Sequence, residues 1–294
     1  MRSALRFYVT AIRCFESSVG HLIIIALLIL LGLLLSPYSL ASIDLELSRE
    51  PIRILGRATN TTTGATVYKE AHHCDKTGHH CLVQYSDNAN AVFFQKYLNM
   101  SQSLVAPDYI KVDRRSGDVQ FGVTSDTAVA FYQLENVPTS RLNFESTLGK
   151  KIDLLKNPAL KSLGSVTLSD SLIVDAGFDQ QIKKSWSKLI TDGRASFYFA
   201  VPSRGEAVTM NIAAKSLKSC IQDVQLEYRK ANTNLAIQCF SVTTKSWLYS
   251  LFFKSISLAY DADTRQLLSF KGLSGIKSAE GKLQNVLIQY RYPE

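Results

Sequence analysis

The chain has 294 residues, a formal net charge of +8 and 46% hydrophobic residues, which suits one large globular domain or two small ones. Its positive charges are scattered, whereas a nucleic-acid-binding protein needs a basic stripe, so we expect no nucleic acid as a partner. This mild positive charge fits attraction to a lipid or to a membrane surface with anionic headgroups.

The N-terminus combines three arginines with an apolar run at residues 22–35. The run has about fourteen residues, short of the roughly twenty that a membrane-spanning helix needs. Ser39 and Ala41 are small residues where a signal peptidase would read them. We expect residues 1–41 to be a cleaved signal peptide and residues 42–294 to form a single β-rich periplasmic domain. The alternative is an uncleaved anchor that tethers this domain to the inner membrane.

Short strands separated by turns are predicted from residue 51 to residue 134, as in an antiparallel meander. In the second strand Tyr68, Glu70 and His72 alternate and therefore share one face. Alternating or apolar runs place these strands at residues 51–59, 64–72, 93–98, 110–112, 119–123 and 128–134.

Glu70 and His72 are the catalytic candidates, because same-face neighbours on a strand can form an acid–base pair. A salt-linked pair on a sheet surface explains the same spacing. The sequence has no Gly-x-Ser-x-Gly elbow, no phosphate-binding glycine loop and no His-Glu-x-x-His motif, so we favour a protein that is not an enzyme.

Two His-His-Cys units, at residues 72–74 and 79–81, flank the dipeptide Thr77-Gly78. If that dipeptide is the tip of a tight hairpin, Cys74 lies directly opposite Cys81, close enough for a disulfide. Imidazole and thiolate are also good ligands for zinc or copper, but oxidised cysteines cannot be thiolate ligands. We predict a disulfide-stapled hairpin without a cofactor. The alternative is a metal site with the candidate ligands His72, His73, His79 and His80.

Four cysteines remain after residues 1–41 are removed, an even number that favours two disulfides in an oxidising compartment. Three connectivities are possible. We predict that neighbours along the chain pair, Cys74 with Cys81 and Cys220 with Cys239.

Residues 135–170 carry no clear pattern, because prolines and glycines interrupt weak periodicities. A structureless stretch of this length is uncommon inside a compact domain. We expect a long excursion or flap there, with one helical turn near residues 151–156.

The clearest helix is predicted at residues 178–190. Asp175 or Gly177 can cap its start, and Gly193 can supply the left-handed residue after its end. The strand that follows, residues 197–201, is apolar on both faces. One apolar stripe along the helix is formed by Phe178, Ile182, Trp186, Leu189 and Ile190.

The rest of the chain again predicts strands and turns. Residues 247–253 are strongly apolar and fit either a lip at a membrane interface or a core segment that closes one end of a barrel. The predicted fold is mainly β: an antiparallel meander forming a curved sheet or partly closed β-barrel, with the helix at 178–190 packed on or in it. The further strands are predicted at residues 206–213, 222–230, 234–241, 255–260, 266–273 and 286–292.

Several separated patches carry specific patterns: Tyr68-x-Glu70-x-His72; Ala106-Pro107-Asp108 with Asp113-Arg114-Arg115-x-Gly117; Asp175-Ala-Gly-Phe-Asp179 with Trp186; Val201-Pro-Ser-Arg204; and Tyr260-Asp261-x-x-Thr264-Arg265 with Gly272 and Ser274. In order and spacing they resemble an uncharacterised family of exported bacterial proteins. They cover most of the chain after residue 41 except residues 135–170. The resemblance implies a single exported domain with no known activity, and the cysteines and doubled histidines are not part of its pattern.

A curved sheet with a helix over its concave face commonly holds an apolar ligand. We therefore predict a non-enzymatic envelope protein that binds an apolar ligand or lipid in a β-barrel-like cavity. The alternatives are a hydrolase or metal-dependent enzyme that uses Glu70, His72 and the neighbouring histidines, and a structural envelope protein without a ligand. The candidate ligand-binding residues are Tyr68, Trp186, Phe197, Phe199, Arg204 and Tyr260.

Overall fold

A curled β-sheet of fifteen strands is the framework of the computed structural model, which describes residues 47, 48, 50–137, 155, 157–225, 236–245 and 255–293. The first arm of the sheet consists of β1 (Ile52–Asn60), β2 (Thr66–Cys74), β3 (His80–Ser86), β4 (Val92–Asn99), β5 (Asp108–Asp113), β6 (Asp118–Thr124), β7 (Ala128–Leu134) and β8 (Lys161–Thr167). The second arm consists of β9 (Leu172–Ile173), β10 (Arg194–Val201), β11 (Glu206–Lys215), β12 (Ile237–Thr244), β13 (Ile256–Asp261), β14 (Leu267–Ser274) and β15 (Gln284–Arg291).

Neighbouring strands are antiparallel except at one edge, where β9 and β10 pair in parallel. β1 pairs with β2 on one side and with β15 on the other, so the first and last strands lie side by side within the sheet. In the turn between β5 and β6, Gly117 has a φ of +76°, and a Cβ there would lie 2.4 Å from the carbonyl oxygen of Val137. That turn therefore requires glycine. The topology confirms the predicted antiparallel meander.

The two edge strands, β8 and β9, follow each other along the chain but are not hydrogen-bonded to each other. β8 instead lies against the single helical turn Pro202–Arg204 that follows β10. The backbones approach closely there, since a Cβ built on Gly164 would lie 3.0 Å from the Cα of Gly205. The sheet is therefore curved and partly closed, as predicted, without being a complete barrel.

The predicted helix is present as two short helices, α1 (Gly177–Lys184) and α2 (Trp186–Thr191), packed against β10 to β13. The ring of Trp186 meets Phe240 and Tyr260 edge-on, at centroid distances of 5.4 and 5.7 Å. Further buried residues complete this cluster, which we call the plug cluster: Ile173, Ile182, Leu189, Phe197, Ile212, Val242 and Leu258.

The ends of the helices differ in part from the prediction. Ala176 takes the cap position before α1 without a side-chain hydrogen bond, where Asp175 or Gly177 was expected to cap. Gly193 follows α2 with a φ of +71°, the expected left-handed conformation. Ile190, expected in the apolar stripe, is 50% exposed, whereas Trp186 and Leu189 of the same helix are buried.

Two strand predictions need correction. Residues Lys161–Thr167, expected within the excursion, form β8 and extend the sheet beyond β7. Their side chains are mostly exposed on both faces, so they carry little hydrophobic alternation. Gln222 and Asp223, expected at the start of a strand at 222–230, belong instead to the helical turn Ile221–Asp223, and residues 226–230 lie outside the described residues. The predicted helical turn near 151–156 and the apolar stretch at 247–253 lie outside the described residues, except for residue 155.

Both predicted disulfides are formed, as is typical of proteins in an oxidising compartment. Cys74 and Cys81 lie directly opposite each other on β2 and β3, with their Cα atoms 4.1 Å apart. Cys220 and Cys239 have Cα atoms 5.8 Å apart and join the segment after β11 to β12. None of the described segments contains a helix of the length and apolarity that a membrane crossing needs.

Candidate functional site

Two lysines lie directly opposite each other on the inner face of the first arm. Lys96 of β4 pairs in register with Lys111 of β5, and their side chains are 15% and 23% exposed. Like charges placed opposite each other on a sheet repel, so the pair requires a counter-charge. Asp175 supplies it: its Oδ1 lies 2.8 Å from the Nζ of Lys96, and its Oδ2 contacts the Nζ of Lys111.

Asp175 belongs to the segment between β9 and α1, residues 174–176, which we call the strap. The strap is held by a hydrogen bond that the Val174 N–H donates to the carbonyl oxygen of Val105, 2.9 Å away. Asp175 has a φ of +49°, a conformation that few non-glycine residues adopt. At Gly177 a Cβ would lie 1.9 Å from the same Val105 oxygen, so a side chain there would displace the strap. The close packing of the strap against Val105 therefore places the carboxylate of Asp175 beside the two lysines.

Burial and neighbouring charges shift the pKa values of Asp175 and Lys111. Burial would by itself raise the pKa of the Asp175 carboxyl, but the ammonium groups of Lys111 and Lys96 hold that pKa well below its usual range. Burial lowers the pKa of Lys111, and the carboxylate of Asp175 opposes that shift. Asp175 is thus ionised at neutral pH and balances one of the two positive charges that face it.

Tyrosines surround the lysine pair. The Nζ of Lys111 lies 4.8 Å from the ring centroid of Tyr109, and the Nζ of Lys96 lies 6.0 Å from that of Tyr85. The buried hydroxyl of Tyr109 has no hydrogen-bond partner among the described residues, which costs free energy unless a ligand or water binds it. Burial raises the pKa of every tyrosine of this group: Tyr68, Tyr85, Tyr109 and Tyr290.

Glu70 and His72 share the inner face of β2 and contact each other, with 3.1 Å between Glu70 Oε2 and His72 Nε2. Glu70 is 5% exposed, so the pair does not lie on an open sheet surface. Gly56, opposite Glu70, leaves room for it: a Cβ there would lie 3.2 Å from Glu70 Oε2 and 3.1 Å from Tyr290. His72 also lies in the same row across the sheet as Lys96, with one residue of β3 between them.

Four of the predicted ligand-binding residues come together where the two helices pack against the sheet. Trp186, Phe197 and Tyr260 belong to the plug cluster, and the half-buried Phe199 packs against it. Tyr198, between the two phenylalanines, is 48% exposed, whereas Ala200 on the same face of the strand is buried.

The other two predicted ligand-binding residues lie elsewhere. Tyr68 is buried in the neighbouring cluster of the first arm, where its hydroxyl is 2.9 Å from the hydroxyl of Ser274. Arg204 lies on the exposed turn after β10, and its Nη1 is 3.4 Å from the Oε1 of Glu206. The structure does not bring Arg204 to the interior.

The paired histidines have separate partners. A ring nitrogen of His73 lies 2.9 Å from the carbonyl oxygen of Glu50, and one of His80 lies 2.7 Å from the hydroxyl of Tyr97. His72 faces the opposite side of the sheet from His73. In the part of the chain that the structure describes, no three His, Cys, Asp or Glu side chains are placed to hold a metal ion.

Sequence patterns alone do not identify the lysine pair, and they assign Asp175 to a helix cap. A signal was nevertheless present. Lys96 and Lys111 each stand two positions from a large residue on the same strand face, Leu98 and Tyr109, and both of those are buried. A charged residue in an inward-facing row is a candidate functional residue.

No family model matches the chain, and no curated protein matches it. One similar solved structure is the β-barrel-like protein of domain of unknown function DUF1849 from Brucella abortus, with 5% identity and a TM-score of 0.39, covering 83% of this chain and 97% of that one. Another is a porin-like protein from Bacteroides uniformis, with 9% identity and a TM-score of 0.29, covering 83% of this chain and 98% of that one. At these scores neither structure indicates what this chain binds.

Proposed function

We propose that the chain is an exported protein that binds a lipid or another amphiphile inside the curled sheet and performs no catalysis. The observation that carries this proposal is the division of the inner face into two halves. The plug cluster supplies an apolar aromatic half, and the first arm supplies a polar half with Lys96 and Lys111; Phe270 packs against the apolar clusters of both arms. Burying two ammonium groups costs free energy that a purely structural core avoids.

Native mass spectrometry of the protein released gently from cells tests the proposal. We expect a non-covalent adduct with the mass of a lipid, which organic extraction removes from the protein and releases for identification. Protein that is free of any adduct, and that also takes up no amphiphile in solution, would favour a structural envelope protein.

A matched pair of variants locates the adduct. Phe199 faces the plug cluster, whereas Tyr198 is the next residue and points to the other face of β10. We expect Phe199→Ala to lower the bound fraction and Tyr198→Ala to leave it unchanged, because only the former removes apolar surface of the plug cluster. Equal retention by both variants would place the ligand away from the plug cluster.

Export is supported by the two disulfides. We propose a periplasmic location and removal of residues 1–41, so that the protein begins at Ser42. The intact mass of the protein from the periplasmic fraction measures this directly. A mass that retains residues 1–41, in a membrane fraction washed with carbonate, would establish residues 22–35 as an anchor.

The contact between Glu70 and His72 favours a second candidate, a hydrolase in which this pair acts as acid and base. That candidate predicts hydrolysis of an ester or glycoside that is lost in both Glu70→Gln and His72→Gln. An absence of turnover in the unmodified protein across a panel of such substrates would rule it out.

A further inference from the structure

The polar half of the inner face groups two ammonium groups and a tyrosine hydroxyl near one carboxylate. An ammonium group has three N–H donors, and within the described ranges Lys96 and Lys111 form their ion pairs with the same carboxylate, that of Asp175. The hydroxyl of Tyr109, beside Lys111, has no partner in those ranges. Two cations that share one carboxylate, beside an unpaired hydroxyl, form an arrangement suited to a second oxyanion.

The charges of Lys96, Lys111 and Asp175 also favour binding of a second anion. Among the described residues the two positive charges contact the carboxylate of Asp175, while Glu70, a buried carboxylate on the same face, contacts His72. Water reaches the lysine side chains, which are 15% and 23% exposed. Asp175 makes its contacts from a backbone conformation that is unfavourable for a non-glycine residue, and a free oxyanion could make them without that strain.

Apolar surface adjoins the charged groups. Leu98 lies two residues from Lys96 on the same face of β4, and Val174 of the strap and Leu172 of β9 are buried in the same cluster as Leu98. A ligand with an anionic group at Lys96 would therefore have its aliphatic part against these side chains. An amphiphile with an oxyanion head matches this border between charged and apolar surface.

We infer that Lys96, Lys111 and Tyr109 form a subsite for the anionic head of the bound amphiphile, a phosphate or a carboxylate. In the ligand-free chain the carboxylate of Asp175 fills this subsite, and the ligand head displaces it. This inference rests on the proposed function, because it names the chemistry of the same ligand. Since Asp175 and the head compete for the same two ammonium groups, removal of the Asp175 charge strengthens binding of the ligand.

Calorimetric titration of the delipidated protein tests this inference with three probes: decanoate, which has both head and chain; inorganic phosphate, which is an anion alone; and decanol, which is a chain alone. We expect Asp175→Asn to bind decanoate about tenfold or more tightly than the unmodified protein and to bind decanol equally well. Asp170→Asn, at an exposed position of the same region, is the matched control and should change neither affinity. If Asp175→Asn does not fold, Lys111→Gln serves instead and should weaken decanoate binding about tenfold while sparing decanol.

The outcomes separate the subsite from the proposed function. Equal affinity for decanoate and decanol in all variants would overturn the anionic subsite and leave amphiphile binding in place. Phosphate that binds as tightly as decanoate would keep the subsite but contradict an amphiphile as its ligand. Failure of all three probes to bind would contradict both.

Discussion

At the scale of single residues, the buried carboxylate of Asp175 connects local backbone geometry to the electrostatics of the interior. Its positive φ and the missing side chain at Gly177 let the strap pass close to Val105. That path brings one negative charge between two lysines that would otherwise repel each other. Removing one member of a buried ion pair leaves an uncompensated charge, so Asp175 also contributes to stability.

This contribution should depend on pH in a defined direction. We expect Asp175→Asn to lower the free energy of unfolding by about 3–5 kcal/mol near neutral pH, the range for breaking a buried ion pair. Because the lysines lower the pKa of Asp175 in the folded state, its stabilising effect is complete above the unfolded-state pKa of about 3.9 and is lost as the pH falls towards the folded-state pKa.

Urea unfolding of both proteins at a series of pH values measures this effect. The difference between them should shrink by at most about 1.4 kcal/mol per pH unit below about pH 4. Asp170→Asn, at an exposed position, is the control for the loss of a carboxylate that contacts neither lysine. A difference that stays constant down to about pH 2 would mean that the ion pairs do not stabilise the fold.

At the scale of secondary-structure elements, α1 and α2 act as one plug despite the break at Ser185. Trp186 lies immediately after that break, where its ring contacts both Phe240 and Tyr260. Ile190, in the last turn of α2, is half exposed and adds little to the plug cluster. The stability of this element therefore depends on a few aromatic contacts.

Trp186→Ala should lower the free energy of unfolding by about 3–5 kcal/mol, because it empties a large aromatic side chain from a packed cluster. Ile190→Ala, on the same helix but half exposed, should change it by less than about 0.5 kcal/mol. Thermal melting measures both effects. If Trp186→Ala instead keeps its melting temperature and loses bound lipid, then the plug is a movable lid. If neither quantity changes, the plug is peripheral to the fold.

At the scale of the whole molecule, a long antiparallel sheet is folded back on itself with incomplete closure. The first and last strands pair inside the sheet, and the edge strand β8 meets the turn after β10 at the close approach of Gly164 and Gly205. Each arm also carries a disulfide, one within a hairpin and one that ties down the segment after β11. The two cross-links restrict the unfolded chain to different extents, because they close loops of different length.

Loss of the Cys220–Cys239 disulfide should destabilise the protein more than loss of the Cys74–Cys81 disulfide. Loop-closure entropy gives roughly 3.3 kcal/mol for the former and roughly 2.5 kcal/mol for the latter. Urea midpoints of the two double Cys→Ala variants measure the difference. The reverse order would show that strain or packing, rather than chain entropy, determines the effect. Alkylation of any of these four cysteines without a reductant in the exported protein would contradict the pairing itself.

The sequence by itself determined the β-rich class and the place of the helix near residues 178–190, and it predicted the disulfide pairing that the structure shows from among three connectivities. These features follow from local rules, since strand alternation, helix periodicity and hairpin geometry act over a few neighbouring residues. β8 was missed because an exposed edge strand carries little of that alternation.

Only the tertiary structure decided that Lys96, Lys111 and Asp175 meet. Their contact depends on the register of β4 against β5, on the curl of the sheet and on the path of the strap past Val105. No local sequence pattern predicts the register, the curl or the path of the strap, because each depends on packing between segments that are distant along the chain. For the same reason the sequence placed Arg204 in the candidate site, whereas the turn after β10 holds it at the exposed edge of the sheet.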